Sequence, residues 1–283
     1  MSSELEVKRK ACVIGWPIAH SRSPIIHSFW LNRLGITGSY EAVAVAPPDF
    51  PGFMLDLVGK GFIGANVTLP HKQKAFEFSA LTTPVASRLK AVNTLWLENG
   101  ALCGDNTDVE GFLGALDQEA AGWDRPGGTA IVLGAGGAAR GIVYGLLLRG
   151  LKVILSNRTV ARAEELAADA DGNVEVAEWE KLPAALEEAD LLVNTTSLGM
   201  KGQPPLDIDV SPLPTHAVVN DIVYFPLETA LIRQAKMRNL RTVSGLGMLM
   251  HQAAPGFARW FGASPSVTPE LRRLVEADVL KSV

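Results

Sequence analysis

The stretch from Thr129 to Arg162 carries the most recognisable chemistry in this chain of 283 residues. Gly134, Gly136 and Ala139 follow the spacing G-x-G-x-x-A, after a short apolar run and before a helix-like segment. In such a turn the first glycine permits the tight bend, the second lets a pyrophosphate approach the backbone, and the third small residue lets helix and strand pack closely. The unpaired N–H groups at the helix start then attract phosphate. The pattern therefore predicts a βαβ unit that binds a dinucleotide.

The residues roughly 20 positions after Gly134 indicate which dinucleotide binds, because an NAD site places Asp or Glu there to hold the ribose 2′-hydroxyl. This chain has Asn157, Arg158 and Thr159 instead, with Arg162 one helical turn later. Two guanidiniums and a hydroxyl suit a 2′-phosphate. The alternative is a solvated helix start, but cations in a first helical turn oppose the helix dipole and favour a bound anion. We expect the cofactor to be NADP(H).

Two serines, Ser21 and Ser23, lie on the predicted loop between a strand at 11–15 and a helix at 25–34. Open α/β sheets bind ligands at the carboxyl ends of their strands, and hydroxyls there suit a carboxylate. The plainer alternative is that Ser23 caps the helix, with Pro24 in its first turn, while Ser21 is solvated. Local pattern alone leaves both interpretations open.

Two charged residues stand at comparable places. Lys72 follows a predicted strand at 62–67, where it can serve as an acid or base, although most lysines are simply exposed. Asp108 precedes a predicted helix at 109–121, where an N-cap is an equally good explanation. The acidic cluster around Asp108 lacks the glycine and ligand spacing of an EF-hand, so no metal site is expected.

Strand and helix patterns alternate along both halves of the chain and predict a two-domain α/β fold. The first half contains an N-G hairpin turn at Asn99 and Gly100, so its mostly parallel sheet should be mixed at one edge. Residues 122–128 read as the linker into the dinucleotide domain. Near the end, one helix is expected over 248–261, and a last one begins at Pro269.

The composition excludes several classes of protein. There are 26 basic and 30 acidic residues, a net charge of −4, so neither nucleic acid nor an anionic membrane is an expected partner. No apolar window reaches the length of a membrane span, and no signal-peptide pattern follows the charged N-terminus. Cys12 and Cys103 have no metal or disulfide spacing, which favours reduced thiols in a cytoplasmic protein. The oligomeric state stays open, a homodimer included.

Eight short motifs together resemble the shikimate dehydrogenase family, in the family's order and over nearly the whole chain. They are PIAHSRSP, ANVTLPHK, AVNTL, GDNTD, GAGGAAR, NRT, DIVYFPLET and GLGML-x-x-Q-A. The resemblance implies a mixed, mostly parallel α/β substrate domain at 1–108, joined by C-terminal helices at 246–283. It also implies a Rossmann-type NADP-binding domain at 109–245.

The resemblance implies reversible reduction of 3-dehydroshikimate to shikimate with NADPH, on the route to aromatic amino acids. It makes Lys72 and Asp108 the catalytic pair. It assigns the substrate to Ser21, Ser23, Asn66, Thr68, Asn93, Tyr224 and Gln252. It assigns the cofactor to Gly134, Ala135, Gly136, Gly137, Ala138, Asn157, Arg158, Thr159, Arg162, Ile222 and Gly245. Thr195 joins the cofactor set because it lies in a polar strand end of the kind that flanks a cofactor.

Three positions depart from the family pattern. Lys90 and Val109 stand where glycine is frequent, and Ser244 stands where aspartate is common. These departures leave room for a paralogue that acts on quinate or on an amino-substituted shikimate. An alternative from another class is a non-catalytic NADP(H)-binding sensor on the same fold, although such a sensor has no need of both Lys72 and Asp108.

Overall fold

The computed structural model describes residues 9–281 and divides into two compact units. The first unit comprises residues 9–107 together with Gln252–Val275. The second comprises Asp108–His251 and residues 276–281. The family resemblance implies that residues 246–283 belong with the first domain. In the structure, Gln252–Val275 is the part of this range that lies in the first unit.

The first unit is built on a six-stranded mixed sheet with the order β2-β1-β3-β5-β6-β4. Its strands are β1 (Arg9–Gly15), β2 (Gly38–Ala44), β3 (Gly64–Val67), β4 (Leu81–Thr82), β5 (Thr94–Glu98) and β6 (Ala101–Asp105). Strand β5 runs antiparallel to both of its neighbours, and the short β4 pairs in parallel with β6. The antiparallel pairing therefore lies toward one edge of the sheet, as the N-G hairpin turn predicted, with the short β4 as the outermost strand beyond β6.

Five helices accompany this sheet, and a sixth begins in the same unit. They are α1 (Ser23–Leu34), α2 (Phe50–Leu55), α3 (Lys72–Phe78), α4 (Pro84–Leu89), α11 (Ala253–Phe261) and the start of α12 (Pro269–Lys281). Helix α11 packs on the strands, where the indole N–H of Trp260 donates to the carbonyl of Leu95 at 2.9 Å. A Cβ on Gly64 would lie 2.2 Å from that indole nitrogen, so only glycine permits this approach.

Helix α1 begins differently from the prediction. The residue before it is Arg22, in a right-handed helical conformation and without a side-chain cap, and Ser23 is the first helical residue. Of the two interpretations that the sequence left open, the one in which Ser23 caps this helix is therefore wrong. The helix does not use the hydroxyl of this serine as a cap; the hydroxyl forms a hydrogen bond with Tyr40 instead.

A second difference concerns the helix predicted over 248–261. The structure has two helices, α10 (Gly245–His251) and α11, which are separated at Gln252. Pro255 explains the break, because it has no N–H to donate to the carbonyl four residues earlier, that of His251. Position 252 therefore lies at a helix junction, at the passage from one unit to the other.

Lys90 ends α4 in the left-handed region, with φ of 50° and ψ of 39°. This conformation is costly for a residue with a Cβ and is the one that glycine adopts at helix C-termini. The departure from glycine at this position therefore places a side chain in a left-handed backbone conformation.

The core of the first unit contains a histidine. His27 is fully buried, stacks on Tyr40 with ring centroids 3.9 Å apart and contacts Trp30 and Phe257. Within residues 9–281, neither ring nitrogen has a hydrogen-bond partner of good geometry. Burial lowers the pKa of His27 from 6.5 to about 3, against a weaker opposing contribution from Asn66. The ring is thus neutral in the folded protein at physiological pH.

We expect the free energy of unfolding to fall as acid titrates His27 in the unfolded chain. The folded pKa is depressed, so this contribution is complete above pH 6.5 and is lost as pH falls toward 3, by about 1.4 kcal/mol per pH unit. His27→Phe should remove that slope, whereas the exposed His20→Ala should keep it. Urea unfolding at several pH values measures both, and an unchanged slope in His27→Phe would contradict the assignment.

The second unit is a doubly wound α/β domain whose six strands are all parallel, in the order β12-β11-β10-β7-β8-β9. The strands are β7 (Thr129–Leu133), β8 (Lys152–Ser156), β9 (Val174–Val176), β10 (Leu191–Asn194), β11 (Val218–Asp221) and β12 (Arg241–Ser244). The helices are α5 (Asp108–Glu119), α6 (Gly137–Leu148), α7 (Val160–Asp169), α8 (Leu182–Leu186), α9 (Ala230–Met237) and α10, with the end of α12. The strand order reverses between β10 and β7, where such sheets bind ligands.

Val109 is buried in α5, with a methyl group 3.1 Å from where a Cβ on Gly145 would lie, so it fills the α5–α6 interface. No helix within residues 9–281 is long and apolar enough to cross a membrane.

Candidate active site

Two of the predicted substrate residues, Asn66 and Asn93, lie in one buried hydrogen-bond network of the first unit. Asn66 accepts from the Tyr40 hydroxyl at 2.6 Å. Its amide nitrogen donates to the Asn93 carbonyl at 3.2 Å and to the Thr94 hydroxyl at 3.1 Å. With both ends of the amide engaged, the orientation of the Asn66 side chain is fixed.

Asn93 extends the network to the segment that precedes α5. Its side-chain oxygen accepts from the Thr107 N–H at 2.8 Å and from the Thr94 hydroxyl at 2.9 Å. The Thr107 hydroxyl donates in turn to the Gln252 carbonyl at 2.8 Å. The first unit therefore brings Asn66, Asn93 and the backbone of Gln252 together.

Sequence reasoning missed three members of this network: Tyr40, Thr94 and Thr107. All three are buried. Thr94 and Thr107 stand inside the motifs AVNTL and GDNTD, next to residues that were singled out. Their polar side chains at strand ends were the available signal, whereas nothing near Tyr40 in the sequence pointed to Asn66.

Lys72 is the first residue of α3 and is half-buried. Its carbonyl accepts from the Val92 N–H at 2.9 Å. The Thr107 N–H donates to the side chain of Asn93, the residue after Val92. The backbones of Lys72 and Thr107 are therefore hydrogen-bonded to two consecutive residues. Asp108 follows directly as the first residue of α5. The first turn of α3 contains no acidic residue.

The serine loop lies between β1 and α1. Ser23 is buried and Ser21 half-buried, and the Ser23 N–H donates to the Ser21 hydroxyl oxygen at 3.4 Å. Burial raises the pKa of Tyr40 well above its usual value, and a hydrogen bond with the Ser23 hydroxyl opposes the shift. Thr68 is half-buried just past β3, and its carbonyl accepts from the His71 N–H at 3.0 Å.

The glycine turn of the second unit has the conformation that its residue types require. Gly134 has a φ of 108°, and a Cβ there would lie 2.6 Å from the Thr195 hydroxyl. Added Cβ atoms on Gly136 and Gly137 would meet nothing within 4 Å. Gly136 precedes α6 without any side-chain cap, so the helix start is open for an anion, as a dinucleotide phosphate requires. Ala135 and Ala138 flank these glycines and are half-buried.

The predicted 2′-phosphate residues lie at the end of β8 and the start of α7. Arg158 and Arg162 are exposed, and within residues 9–281 no hydrogen bond or ion pair engages either guanidinium. Thr159 precedes α7 but makes no side-chain capping bond. Asn157 donates from its amide to the Thr159 carbonyl at 2.8 Å. Within the part of the chain that the structure describes, these two guanidiniums have no partner and the first turn of α7 has no acidic residue, which favours a bound anion.

The remaining predicted residues of this unit lie past the ends of its strands. Thr195 is buried and donates its hydroxyl to the Leu133 carbonyl at 2.7 Å, which places it beneath the glycine turn. A Cβ on Gly245 would lie 2.0 Å from the Ile222 carbonyl oxygen, so these two residues pack in direct contact. Tyr224 is half-buried in the same segment. Within residues 9–281, no group of three or more His, Cys, Asp or Glu side chains is arranged to hold a metal ion.

Two family models match this chain. Residues 13–95 match the shikimate dehydrogenase substrate binding domain. Residues 119–200 match shikimate/quinate 5-dehydrogenase. The boundaries of these two matches fall within the first and second units respectively.

Similar proteins cover nearly the whole chain. Shikimate dehydrogenase (NADP+) from Methylocella silvestris is 65% identical over 274 residues, which are 97% of this chain and 98% of that protein. The crystal structure of shikimate 5-dehydrogenase from Thermus thermophilus, in complex with NADP(H) and shikimate, is 36% identical. It covers 97% of this chain and 100% of its own, with a TM-score of 0.84.

A quinate dehydrogenase from Corynebacterium glutamicum in complex with NAD also has this fold, at 27% identity and a TM-score of 0.87. It covers 95% of this chain and 99% of its own. The far higher identity to the NADP+ enzymes, together with the eight motifs, decides the assignment: this chain belongs to the shikimate dehydrogenase family.

Proposed function

We propose that this chain catalyses the reversible NADPH-dependent reduction of 3-dehydroshikimate to shikimate. One observation carries the proposal. Hydrogen bonds join Lys72 to Val92 and Thr107 to Asn93, two consecutive residues, and Asp108 follows Thr107 in the chain. The strong similarity to NADP+-dependent shikimate dehydrogenases over 97% of the chain supports it.

NADP(H) fits the second unit. The open helix start at Gly136 and Gly137 suits the pyrophosphate, and the unpaired guanidiniums of Arg158 and Arg162 suit a 2′-phosphate. When bound, the cofactor supplies the hydride. The chain's own groups must then hold the substrate and manage the proton.

We assign proton transfer to Lys72. A carbonyl that receives hydride at C3 becomes an alkoxide, so a donor must stand beside the oxygen. The Lys72 ammonium can give up a proton to that oxygen, or stay charged and stabilise it. We assign to Asp108 the orientation of Lys72 and the acceptance of a substrate hydroxyl.

The substrate carboxylate is assigned to the hydroxyls of Ser21 and Ser23. The absence of a capping role for Ser23 supports this, because its hydroxyl is not committed to the helix. The other substrate residues bind ring hydroxyls or line the pocket; they are Asn66, Thr68, Asn93, Tyr224 and Gln252.

Isotope transfer tests the reaction itself. The reagent is NADPH with deuterium at both positions of C4 of the nicotinamide ring. It should convert 3-dehydroshikimate to shikimate that carries deuterium at C3, which mass spectrometry and NMR can detect. Unlabelled product, or label at another carbon, would contradict the proposed hydride transfer. No product at all, under conditions where the protein binds NADPH, would favour the non-catalytic sensor.

Two glycine variants should separate folding from cofactor binding. Gly136→Ala should keep the melting temperature, because its φ of −91° and ψ of −172° suit alanine and no atom lies nearby. It should nevertheless weaken NADPH binding at least about tenfold, because the methyl group occupies the space of the pyrophosphate. Gly134→Ala should lower the melting temperature as well, because of its positive φ and the close Thr195 hydroxyl. Calorimetry and NADPH titration measure the two effects; unchanged binding by Gly136→Ala would contradict the assignment.

We further infer that the protein acts in the cytoplasm. Cys12 and Cys103 support this, since both are buried free thiols. A homodimer remains compatible with the proposal, and sedimentation equilibrium would establish the oligomeric state.

A further inference from the structure

The second unit contains a buried carboxylate that the proposed reaction does not use. Asp221 is the last residue of β11, and its accessible surface is 0%. Within residues 9–281 no Lys, Arg or His forms an ion pair with it. Burial raises the pKa of its carboxyl group, against hydrogen bonds from Thr229, Val223 and Asn194 that lower it. Burying a carboxylate without a cation costs free energy, and hydrogen bonds to its oxygens offset part of that cost.

Those hydrogen bonds reach three separate segments. One carboxylate oxygen accepts from the Asn194 amide at 2.9 Å and from the Val223 N–H at 3.1 Å. The other accepts from the Thr229 hydroxyl at 2.6 Å. Thr229 precedes α9 and caps it, because its hydroxyl oxygen also accepts from the Ile232 N–H.

Asn194 carries the connection into the neighbouring loop. It is the last residue of β10, and its side-chain oxygen accepts from both the N–H and the hydroxyl of Thr196, at 3.0 and 2.7 Å. Its amide nitrogen also donates to the Leu198 carbonyl at 3.3 Å. The Asn194 carbonyl accepts from the Ile222 N–H at 3.1 Å. One polar cluster thus holds the loops 195–198 and 222–224.

We propose that Asp221 is a positioning residue, whose carboxylate holds the 222–224 loop directly and the 195–198 loop through Asn194 in the shape that receives the cofactor. The inference rests on the proposed function, which assigns Thr195 and Ile222 to NADP(H). The close packing of Gly245 on the Ile222 carbonyl leaves that loop little freedom on its other side. A shift at Asp221 is therefore transmitted to Ile222.

Two substitutions at Asp221 test the role. Asp221→Ala removes the carboxylate that accepts from the Asn194 amide, the Val223 N–H and the Thr229 hydroxyl, so the Kd for NADPH should rise at least about tenfold. Asp221→Asn keeps an oxygen toward both donors, and the Thr229 hydroxyl can turn to accept from the new amide nitrogen. Its Kd should stay within about threefold of the wild type, the range expected for intact loop geometry. Titration of NADPH fluorescence measures Kd, and calorimetry measures the melting temperature.

Asp209→Asn is the matched control. The Asp209 carboxylate also accepts from a backbone N–H and a hydroxyl, both of Ser211, but it lies on an exposed loop. Its substitution should leave the Kd for NADPH unchanged.

Two results would overturn the proposal. A folded Asp221→Ala protein with a lower melting temperature and an unchanged Kd would mean that the cluster only stabilises the fold. Equal weakening by Asp221→Ala and Asp221→Asn would mean that the charge matters and the hydrogen-bond geometry does not.

If Asp221→Ala does not fold, the pair Thr229→Val and Thr229→Ser decides. The valine removes the donor to the carboxylate and should raise the Kd for NADPH several-fold, whereas the serine keeps it; equal Kd values would overturn the proposal. These titrations need no carbonyl substrate, so the two proposals can fail separately. A wild-type protein that binds NADPH but does not turn over shikimate would contradict the proposed function. The Kd values of the Asp221 and Thr229 variants would still test the positioning role.

Discussion

Lys72→Ala should lower kcat for shikimate oxidation by about 10²- to 10⁴-fold, the usual contribution of a positioned proton donor or acceptor. The KM for shikimate should change by no more than about threefold, since the serines and asparagines assigned to the substrate stay in place. The half-buried position of Lys72 at the start of α3, with its carbonyl tied to Val92, supports a fixed role for the side chain. Steady-state kinetics in both directions measure the split.

Lys74→Ala provides the control in the same helix. Lys74 is exposed and pairs with Glu77 at 2.5 Å, so its loss should leave kcat and KM within about twofold, as for most surface ion pairs. A rise in KM alone for Lys72→Ala, with kcat preserved, would show that Lys72 only binds the substrate.

The double variant Arg158→Ala/Arg162→Ala should lose most of its preference for NADP+ over NAD+. Hydrogen bonds to a charged group contribute about 1.5–3 kcal/mol each, so removal of both guanidiniums should raise the KM for NADP+ about 100-fold or more. The KM for NAD+ should hardly change, because NAD+ lacks the 2′-phosphate. Initial rates with each cofactor give the ratio of kcat/KM values.

Ionic strength gives a second readout for the same two arginines. Both are exposed, so added salt should raise the KM of the wild type for NADP+ and leave that of the double variant nearly unchanged. Arg233→Ala is the control, since Arg233 is also exposed on the second unit but pairs with Glu228. Equal losses with NADP+ and NAD+ in the double variant would mean that the arginines stabilise the domain and do not read the phosphate.

Much of this fold could be predicted from local pattern because its strands are short apolar runs and its helices have clear ends. The second unit agrees with its glycine fingerprint down to the positive φ at Gly134. The predicted helix over 248–261 failed because apolar periodicity continues across Gln252, whereas the break depends on the missing N–H of Pro255. The two-residue strand β4 was too short to leave any periodic signal.

The candidate site was predictable only in part, for a related reason. Asn66 and Asn93 stand out because one lies inside the buried strand β3 and the other directly before β5, where polar side chains are unusual. The partners that orient them, Tyr40 and Thr107, belong to segments distant in sequence and meet them only through the sheet order. The carboxylate of Asp221 was read as part of a family motif, whereas its burial and its link to Asn194 depend on the pairing of β10 with β11.

The most direct measurement is the initial rate of cofactor reduction in four combinations, NADP+ or NAD+ with shikimate or quinate. We predict rapid turnover with NADP+ and shikimate, and at most a small fraction of that rate in the other three. Preferred turnover with NAD+ or with quinate would contradict the assignment of Arg158 and Arg162 or that of the serine loop. No turnover in any combination would contradict the central claim that this chain is a shikimate dehydrogenase in activity as well as in family.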